Sequence, residues 1–308
     1  MNPLSAIYGA ASALRNSLFD RGMLKARRLD RPVVSIGNLS VGGAGKTPFV
    51  IALGELLKTR SVRFDVLSRG YGRKTRGVRV VEPYGSAADF GDEPLLLARR
   101  LDVPVIIGES RYEAGRLAEK KFAKQVHILD DGFQHRSLWR NFDIVLLTER
   151  DFEDSLLPSG RLREPLRSLA RADAIVLPES ATDHAILRGK IVWRMKREIA
   201  VVDPPEALIV FCGIARPEQF FAQVRATGIL PSAEITFPDH HPYSLRDIDR
   251  LLTARAKLGA GGFLTTEKDV VNLGALQSGL APLAIAVLNV TLDNSADIVD
   301  TILARIGV

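Results

Sequence analysis

The stretch "SIGNLSVGGAGKTPFV", Ser35–Val50, decides how the chain is read. Val33 to Ile36 form an apolar run of strand length, glycines follow, and "TPFVIALGELLKTR" then carries helical periodicity. Strand, glycine loop and helix in that order make a phosphate loop, because free amides and the dipole at a helix N-terminus face an anion. Gly42, Gly43 and Gly45, with Ala44 between them, let the backbone approach phosphate oxygens closely. Lys46 is expected to reach the β and γ phosphates, and Thr47 to put its hydroxyl on Mg²⁺. Pro48 is tolerated only in the first turn of a helix, so the helix should begin close to Lys46. The spacing G-x-x-x-x-G-K-[ST] asks for glycine at position 40, where this chain has Ser40, itself able to donate a hydrogen bond. A plain glycine-rich turn is the competing reading.

Around that loop, apolar runs alternate with helical stretches: "PVVSIG", "RFDVLS", "VPVIIG", "VHILDD", "FDIVLL" and "ADAIVLP". Continuous runs rich in Val and Ile suit parallel strands covered on both faces, hence an α/β fold. "GKIVWRMKREIAVVDPPEA", with Pro204 and Pro205, punctuates the chain, and "LIVFCG", "AEITFP", "GFLTT" and "LAIAVLNV" begin a second series. The expectation is a phosphate-loop, kinase-like, mostly parallel sheet domain over residues 1–195 and a smaller α/β domain over 196–308. Residues 190–206 are read as linker and hinge, and Asn294 to Ile306 as a closing helix.

With 308 residues, 46% apolar and 25% charged, the composition excludes wholesale disorder. The single cysteine, Cys212, cannot form an intrachain disulfide, which fits a reducing compartment. A net charge of +6 suits anionic partners, but 6% aromatic content and the lack of a stacking platform argue against nucleic acid. No apolar run is long enough to span a bilayer. Leu4, Ile7, Tyr8, Ala11, Leu14 and Leu18 recur at helical spacing, with Arg21, Lys25, Arg27 and Arg28 after them. The pattern fits a helix packed on its own domain or one lying on an anionic membrane face.

A phosphate loop needs an acidic partner at a neighbouring strand end, and "VHILDDGFQH" ends its apolar run in Asp130 and Asp131. In isolation the pair also reads as an Asp-Gly turn. "LPSGRLREPLRSL" sets Glu164 among Arg161, Arg163 and Arg167, which fits charge supplied to a phosphoryl group or simply an exposed basic loop. Asp92 in "GDEPLLLARR" stands at a helix start and reads as an N-cap or an acceptor-side base. His240 or His241 of "FPDHHPYS" could orient such a base. A hydrolytic NTPase switch and a lipid-docking module remain rival readings.

Taken together, the Gly-Gly-x-Gly-Lys-Thr-Pro loop, "LSRGYGRK", "GDEP", "LDDGFQHR", "LPSGRLREP" and "FPDHHPY" resemble the tetraacyldisaccharide 4′-kinases over nearly the whole chain. The family's loop, like this one, lacks the first glycine. The resemblance implies an ATP- and Mg²⁺-dependent enzyme that phosphorylates the 4′-hydroxyl of an acylated glucosamine disaccharide phosphate in lipid A biosynthesis. It implies a peripheral protein on the cytoplasmic face of the bacterial inner membrane, touching the anionic bilayer through its N-terminal helix. It assigns nucleotide contacts to Ser40, Gly42, Gly43, Ala44, Gly45, Lys46 and Thr47, and metal contacts to Thr47, Asp130, Asp131 and Glu164. It also implies Arg163 as a cation near the transferred group, Asp92 as base and His240 as its support.

Overall fold

The computed structural model describes residues 3–308. The first half contains helix α1 (Pro3–Asp20), β1 (Val33–Asn38), α2 (Lys46–Thr59), β2 (Phe64–Ser68), β3 (Arg79–Val80), α3 (Ala87–Phe90) and α4 (Asp92–Leu101). It continues with β4 (Val105–Ile107), α5 (Arg111–Lys121), β5 (Val126–Asp130), β6 (Phe142–Leu146) and β7 (Ala174–Pro178). The second half contains β8 (Ile191–Val201), β9 (Leu208–Cys212), α6 (Pro217–Ala226), β10 (Ala233–Thr236), α7 (Leu245–Leu258) and β11 (Gly262–Thr266). Helix α8 (Glu267–Leu273), β12 (Leu283–Leu292) and α9 (Ser295–Ile306) close the chain.

All twelve strands join one sheet in the order β10-β9-β11-β12-β8-β7-β6-β1-β5-β2-β4-β3. Every pairing is parallel except β3 with β4 and β12 with β8. Strands β1, β2, β5 and β6 are buried along their whole length. That is why they read as unbroken apolar runs rather than alternating ones.

The stretch expected to be a linker contains β8, an 11-residue strand. Its first half pairs with β7 and its second half with β12, so the two units are joined by an antiparallel ribbon. Trp193 and Met195 belong to the core of the first unit, whereas Ile199 and Val201 pack on a core of the second. These alternate residues share one face of the strand, and Arg197 stands on it between the two cores. Helix α9 returns to the first unit, placing Ile298, Val299 and Ile302 in the same core as Phe49 and Leu53 of α2.

Two close approaches locate the loops of the site. Gly37 lies so near the turn after β5 that a β-carbon there would stand 2.5 Å from Phe133 Cβ. A β-carbon on Gly91 would meet the carbonyl oxygen of Tyr71 at 2.7 Å, and Gly91 also has φ of 87°. The first packs "DDGF" against the end of β1, and the second packs "RGYG" against the start of α4.

Candidate active site

Buried β1 ends in Asn38, and the chain turns through Val41–Gly45 into α2, which begins at Lys46. Gly42 and Gly45 take φ of 89° and 85°, in the left-handed region where glycine carries no side-chain penalty. Position 40 needs no glycine, because Ser40 is extended and forms a β-bridge with Leu162. Val41 N–H donates to the Arg161 carbonyl at 2.8 Å, and Arg163 N–H to the Leu39 carbonyl at 2.6 Å. Ser40 Oγ is buried without a hydrogen-bond partner in this structure.

These contacts bring the "GRLREP" segment beside the loop. Lys46 Nζ donates to Asn38 Oδ1 at 3.1 Å and lies 3.4 Å from Asp131 Oδ1. Arg163 donates two hydrogen bonds to Asp131, at 2.8 and 3.0 Å, and Arg163 Nη2 also donates to Asn38 Oδ1. Asn38 therefore ties the lysine and the arginine together. It was not among the residues expected from sequence, although a polar residue closing a buried strand before a glycine loop is the signal. Asp131 has φ of 50°, a conformation uncommon outside glycine and least unusual for Asp, Asn and His.

The neighbouring acids differ in charge state. Burial raises the Asp131 pKa, but Lys46 and Arg163 outweigh it and hold the carboxylate well below its ordinary range. Burial, reinforced by the charges of Glu93 and Asp131, pushes Asp130 up to about 7 despite Lys46 and a hydrogen bond from Ser68. Glu164 is buried and accepts from Arg171 Nη2 at 2.9 Å and from Asn16 Nδ2 at 2.6 Å. Among the described residues, no three acidic, histidine or cysteine side chains gather into a metal cage. Asp130 Oδ1 and Glu164 Oε1 are nevertheless buried without partners. A Mg²⁺ site built from one or two carboxylates plus phosphate oxygens is compatible with that donor set.

Asp92 occupies the first turn of α4, where its Oδ1 accepts the Glu93 N–H at 2.8 Å. The same carboxylate faces the second unit. His240 Nδ1 stands 2.8 Å from Asp92 Oδ2, Asn272 Nδ2 donates to it at 3.0 Å, and Lys268 Nζ lies 3.8 Å away. His240 takes φ of 58° and its N–H donates to the Gly213 carbonyl at 3.2 Å, which fixes the loop to the end of β9. Tyr71 tilts over the imidazole with ring centroids 5.3 Å apart. His241 turns away, 3.2 Å from Asp247 and stacked on Phe237. Lys268 and Asn272 come from "TTEKDVVN", where their spacing carries no recognisable motif.

Two more basic residues approach the glycine loop from the second unit. A β-carbon on Gly45 would stand 3.1 Å from Arg197 Nη1, and one on Gly43 would stand 3.7 Å from Arg216 Nε. Arg216 Nη2 is buried without a hydrogen-bond partner. By contrast, Arg161 is engaged by Asp154 at 2.8 Å, and Arg167 is exposed.

The model of the tetraacyldisaccharide-1-P 4′-kinase family matches residues 1–307. The chain belongs to that family. It is 49% identical to the tetraacyldisaccharide 4′-kinase of Koribacter versatilis, covering 98% of each chain. It is 40% identical to that of Aquifex aeolicus, covering 91% of each. The crystal structure of the Aquifex aeolicus kinase LpxK, described as an "apo" form in complex with ATP, superposes with a TM-score of 0.83. That match covers 99% of this chain and 98% of the other at 35% identity. The expected kinase-like α/β fold and family are thus borne out.

The charge balance between Asp92 and His240 has a measurable consequence for stability. The hydrogen bond to Asp92 raises the His240 pKa against the opposing effect of burial. Burial raises the Asp92 pKa, but His240 and Lys268 outweigh it and leave it lowered. The histidine contribution is therefore complete below its ordinary value of 6.5 and lost as pH rises through its raised folded value. The aspartate contribution is complete above 3.8 and lost only as pH falls through its lowered folded value. Urea unfolding from pH 6 upward is expected to show a loss of stability in the native protein that is absent in His240→Gln. Parallel pH profiles for the two proteins would mean the pair makes no such contribution.

Proposed function

We propose that the chain transfers the γ-phosphoryl group of ATP to the 4′-hydroxyl of a tetraacyldisaccharide 1-phosphate, with Asp92 receiving the hydroxyl proton. What carries this reading is Asp92, in the unit that bears the glycine loop and held from the second unit by His240 and Asn272. Glu93 is near enough to Asp130 to raise its pKa, which ties the α4 start to the acidic strand end.

We assign the division of labour on the geometry described above. Free amides at the start of α2 and Lys46 bind the β and γ phosphates, with Arg197 and Arg216 adding positive charge from the second unit. Thr47, Asp130, Asp131 and Glu164 are the residues that would hold Mg²⁺, which when bound offsets charge on the phosphate oxygens. Arg163 holds Asp131 and Asn38 in place, and stands beside the transferred group. Asp92 is kept ionised by His240 and Lys268, as a proton acceptor must be before reaction. His240 orients it through Nδ1, and the carboxylate becomes a neutral carboxylic acid as it receives the proton. Arrangement and electrostatics carry most of the catalysis in such a transfer.

Incubation with labelled ATP, Mg²⁺ and a tetraacylated disaccharide 1-phosphate should place label on the lipid. Asp92→Asn is expected to lower kcat by roughly 10²–10⁴-fold while leaving ATP affinity nearly intact. Equal loss of both would move Asp92 into the nucleotide site, and ADP release that ignores lipid would favour a hydrolytic switch.

The β8–β12 ribbon, followed by Pro204 and Pro205, is the hinge we assign between a first unit ending near residue 195 and a second over 196–308, whose last helix α9 packs back onto the first. Across the interface Arg100 Nη1 contacts both Glu267 oxygens at 2.7 Å. A partly exposed pair of this kind contributes only about 1 kcal/mol or less. By itself such a pair does not lock the units against closure over nucleotide. X-ray scattering should show a smaller radius of gyration with a non-hydrolysable ATP analogue, and superimposable profiles would count against closure.

We also place the enzyme peripherally on the cytoplasmic face of the bacterial inner membrane, seated by α1. Leu4, Ile7 and Leu14 of that helix are 60%, 66% and 62% exposed, while buried Ser5 points inward. An apolar face turned outward and a polar one inward is the reverse of an ordinary surface helix. Each large aliphatic side chain is worth roughly 1.5–3 kcal/mol when fully buried. A Leu4→Ser, Ile7→Ser, Leu14→Ser variant should therefore partition at least about tenfold less onto anionic vesicles. Undiminished sedimentation with vesicles would refute the assignment of this face.

A further inference from the structure

Helix α1 does more than expose an apolar face, because its opposite face is bonded to the segment that carries Arg163 and Glu164. Ser5 Oγ donates to the Leu156 carbonyl at 3.1 Å and contacts Ser159 Oγ at 2.8 Å. Gly9 lets the helix come close: a β-carbon there would stand 2.8 Å from Leu156 Cδ1. Tyr8 Oη donates to the Arg163 carbonyl at 3.1 Å, and Asn16 Nδ2 donates to Glu164 Oε2 at 2.6 Å. At 100° per residue, positions 5, 9 and 16 share one side of the helix and positions 4, 7 and 14 the opposite side, with Tyr8 at the border between them.

The segment is therefore clamped from two directions. On its far side, residues 161–163 pair with residues 39–41 immediately before the glycine loop. On its near side lies α1. The donor from Asn16 and the guanidinium of Arg171 both converge on Glu164 Oε2, leaving Oε1 buried and without a partner. Arg136 Nη1 in turn donates to the Asn16 carbonyl at 3.0 Å, and Arg136 Nη2 to Asp20 at 2.7 Å. These bonds tie α1 to the "GFQHR" turn that follows Asp131.

We propose that Tyr8 and Asn16 are positioning residues for phosphoryl transfer, holding Arg163 and Glu164 in register with Lys46 and Asp131. The inference rests on the kinase reading above and extends it. Seating α1 on a bilayer and holding the reacting centre are thereby assigned to different faces of one helix. The two faces also become separable by mutation, since one touches lipid and the other touches the segment of residues 155–164.

The experiment compares three full-length variants, Asn16→Ala, Tyr8→Phe and the serine-substituted apolar face, on a short-acyl disaccharide 1-phosphate soluble without vesicles. Removing a hydrogen bond to a charged group should lower kcat about 10- to 100-fold in Asn16→Ala. The lipid KM and vesicle partitioning of that variant should stay within about twofold, and Asn16→Gln should recover part of the rate. Amides of residues 155–164 should exchange faster in Asn16→Ala and Tyr8→Phe but not in the apolar-face variant. Wild-type kcat together with unchanged exchange in both polar-face variants would overturn the proposal. If Asn16→Ala does not fold, Tyr8→Phe, which loses only a hydroxyl, decides by the same two readouts. A native protein that labels no disaccharide would sink the kinase reading, while exchange alone would still decide whether α1 orders the segment.

Discussion

The first free amides of α2 have no carbonyl partner within their own helix, and much of the site is organised around that electropositive end. A buried strand delivers the chain to it, and Gly42 and Gly45 turn the backbone through conformations unfavourable to other residues. Everything else adjusts the charge at that point. Lys46 is held by Asn38 and Asp131, and Asp131 by Arg163, so one carboxylate offsets part of the charge of two cations before any ligand arrives.

Beside that paired cluster, Asp130 is the exception. It is buried beside an ionised neighbour, and desolvation together with like charge raises its pKa to about 7. A carboxyl in that condition is poised to respond to an added cation, and Glu164 separately keeps one buried oxygen without a hydrogen-bond partner. The structure thus keeps acidic donors close to the loop without letting them gather into a closed cage.

The proton-accepting side is built by a different device. Asp92 belongs to one unit and its partners His240, Asn272 and Lys268 to the other, so the base is completed only where the two halves meet. Both His240 and Asp131 sit at positive φ, each fixed by the end of a parallel strand. The joining ribbon passes through the same region, carrying Arg197 on the face that runs from one core to the other. Helix α1 adds a third direction, reaching Arg163 and Glu164 with one face while the other presents exposed Leu4, Ile7 and Leu14.

Much of this was legible in the residues. The long parallel strands betray themselves because burial on both faces demands unbroken apolar runs, and the glycine loop because its backbone angles exclude most side chains. Strand β8 was hidden, although Trp193, Met195, Arg197, Ile199 and Val201 alternate with polar or small residues. Its two faces meet different surroundings along its length, and the following prolines resemble a linker. Edge strand β3 spans only two residues and offers no period to detect. What the sequence by itself determined was the local chemistry: where the phosphate loop begins, which strand ends in paired acids, and which helix has an apolar stripe. Tertiary structure alone decided which partners meet, since Asp92 and His240 are 148 positions apart and Asn16 and Glu164 are likewise 148 apart. A polar side chain has no periodicity that announces a distant partner, so contacts of that kind exist only once the sheet and its two covering layers are assembled.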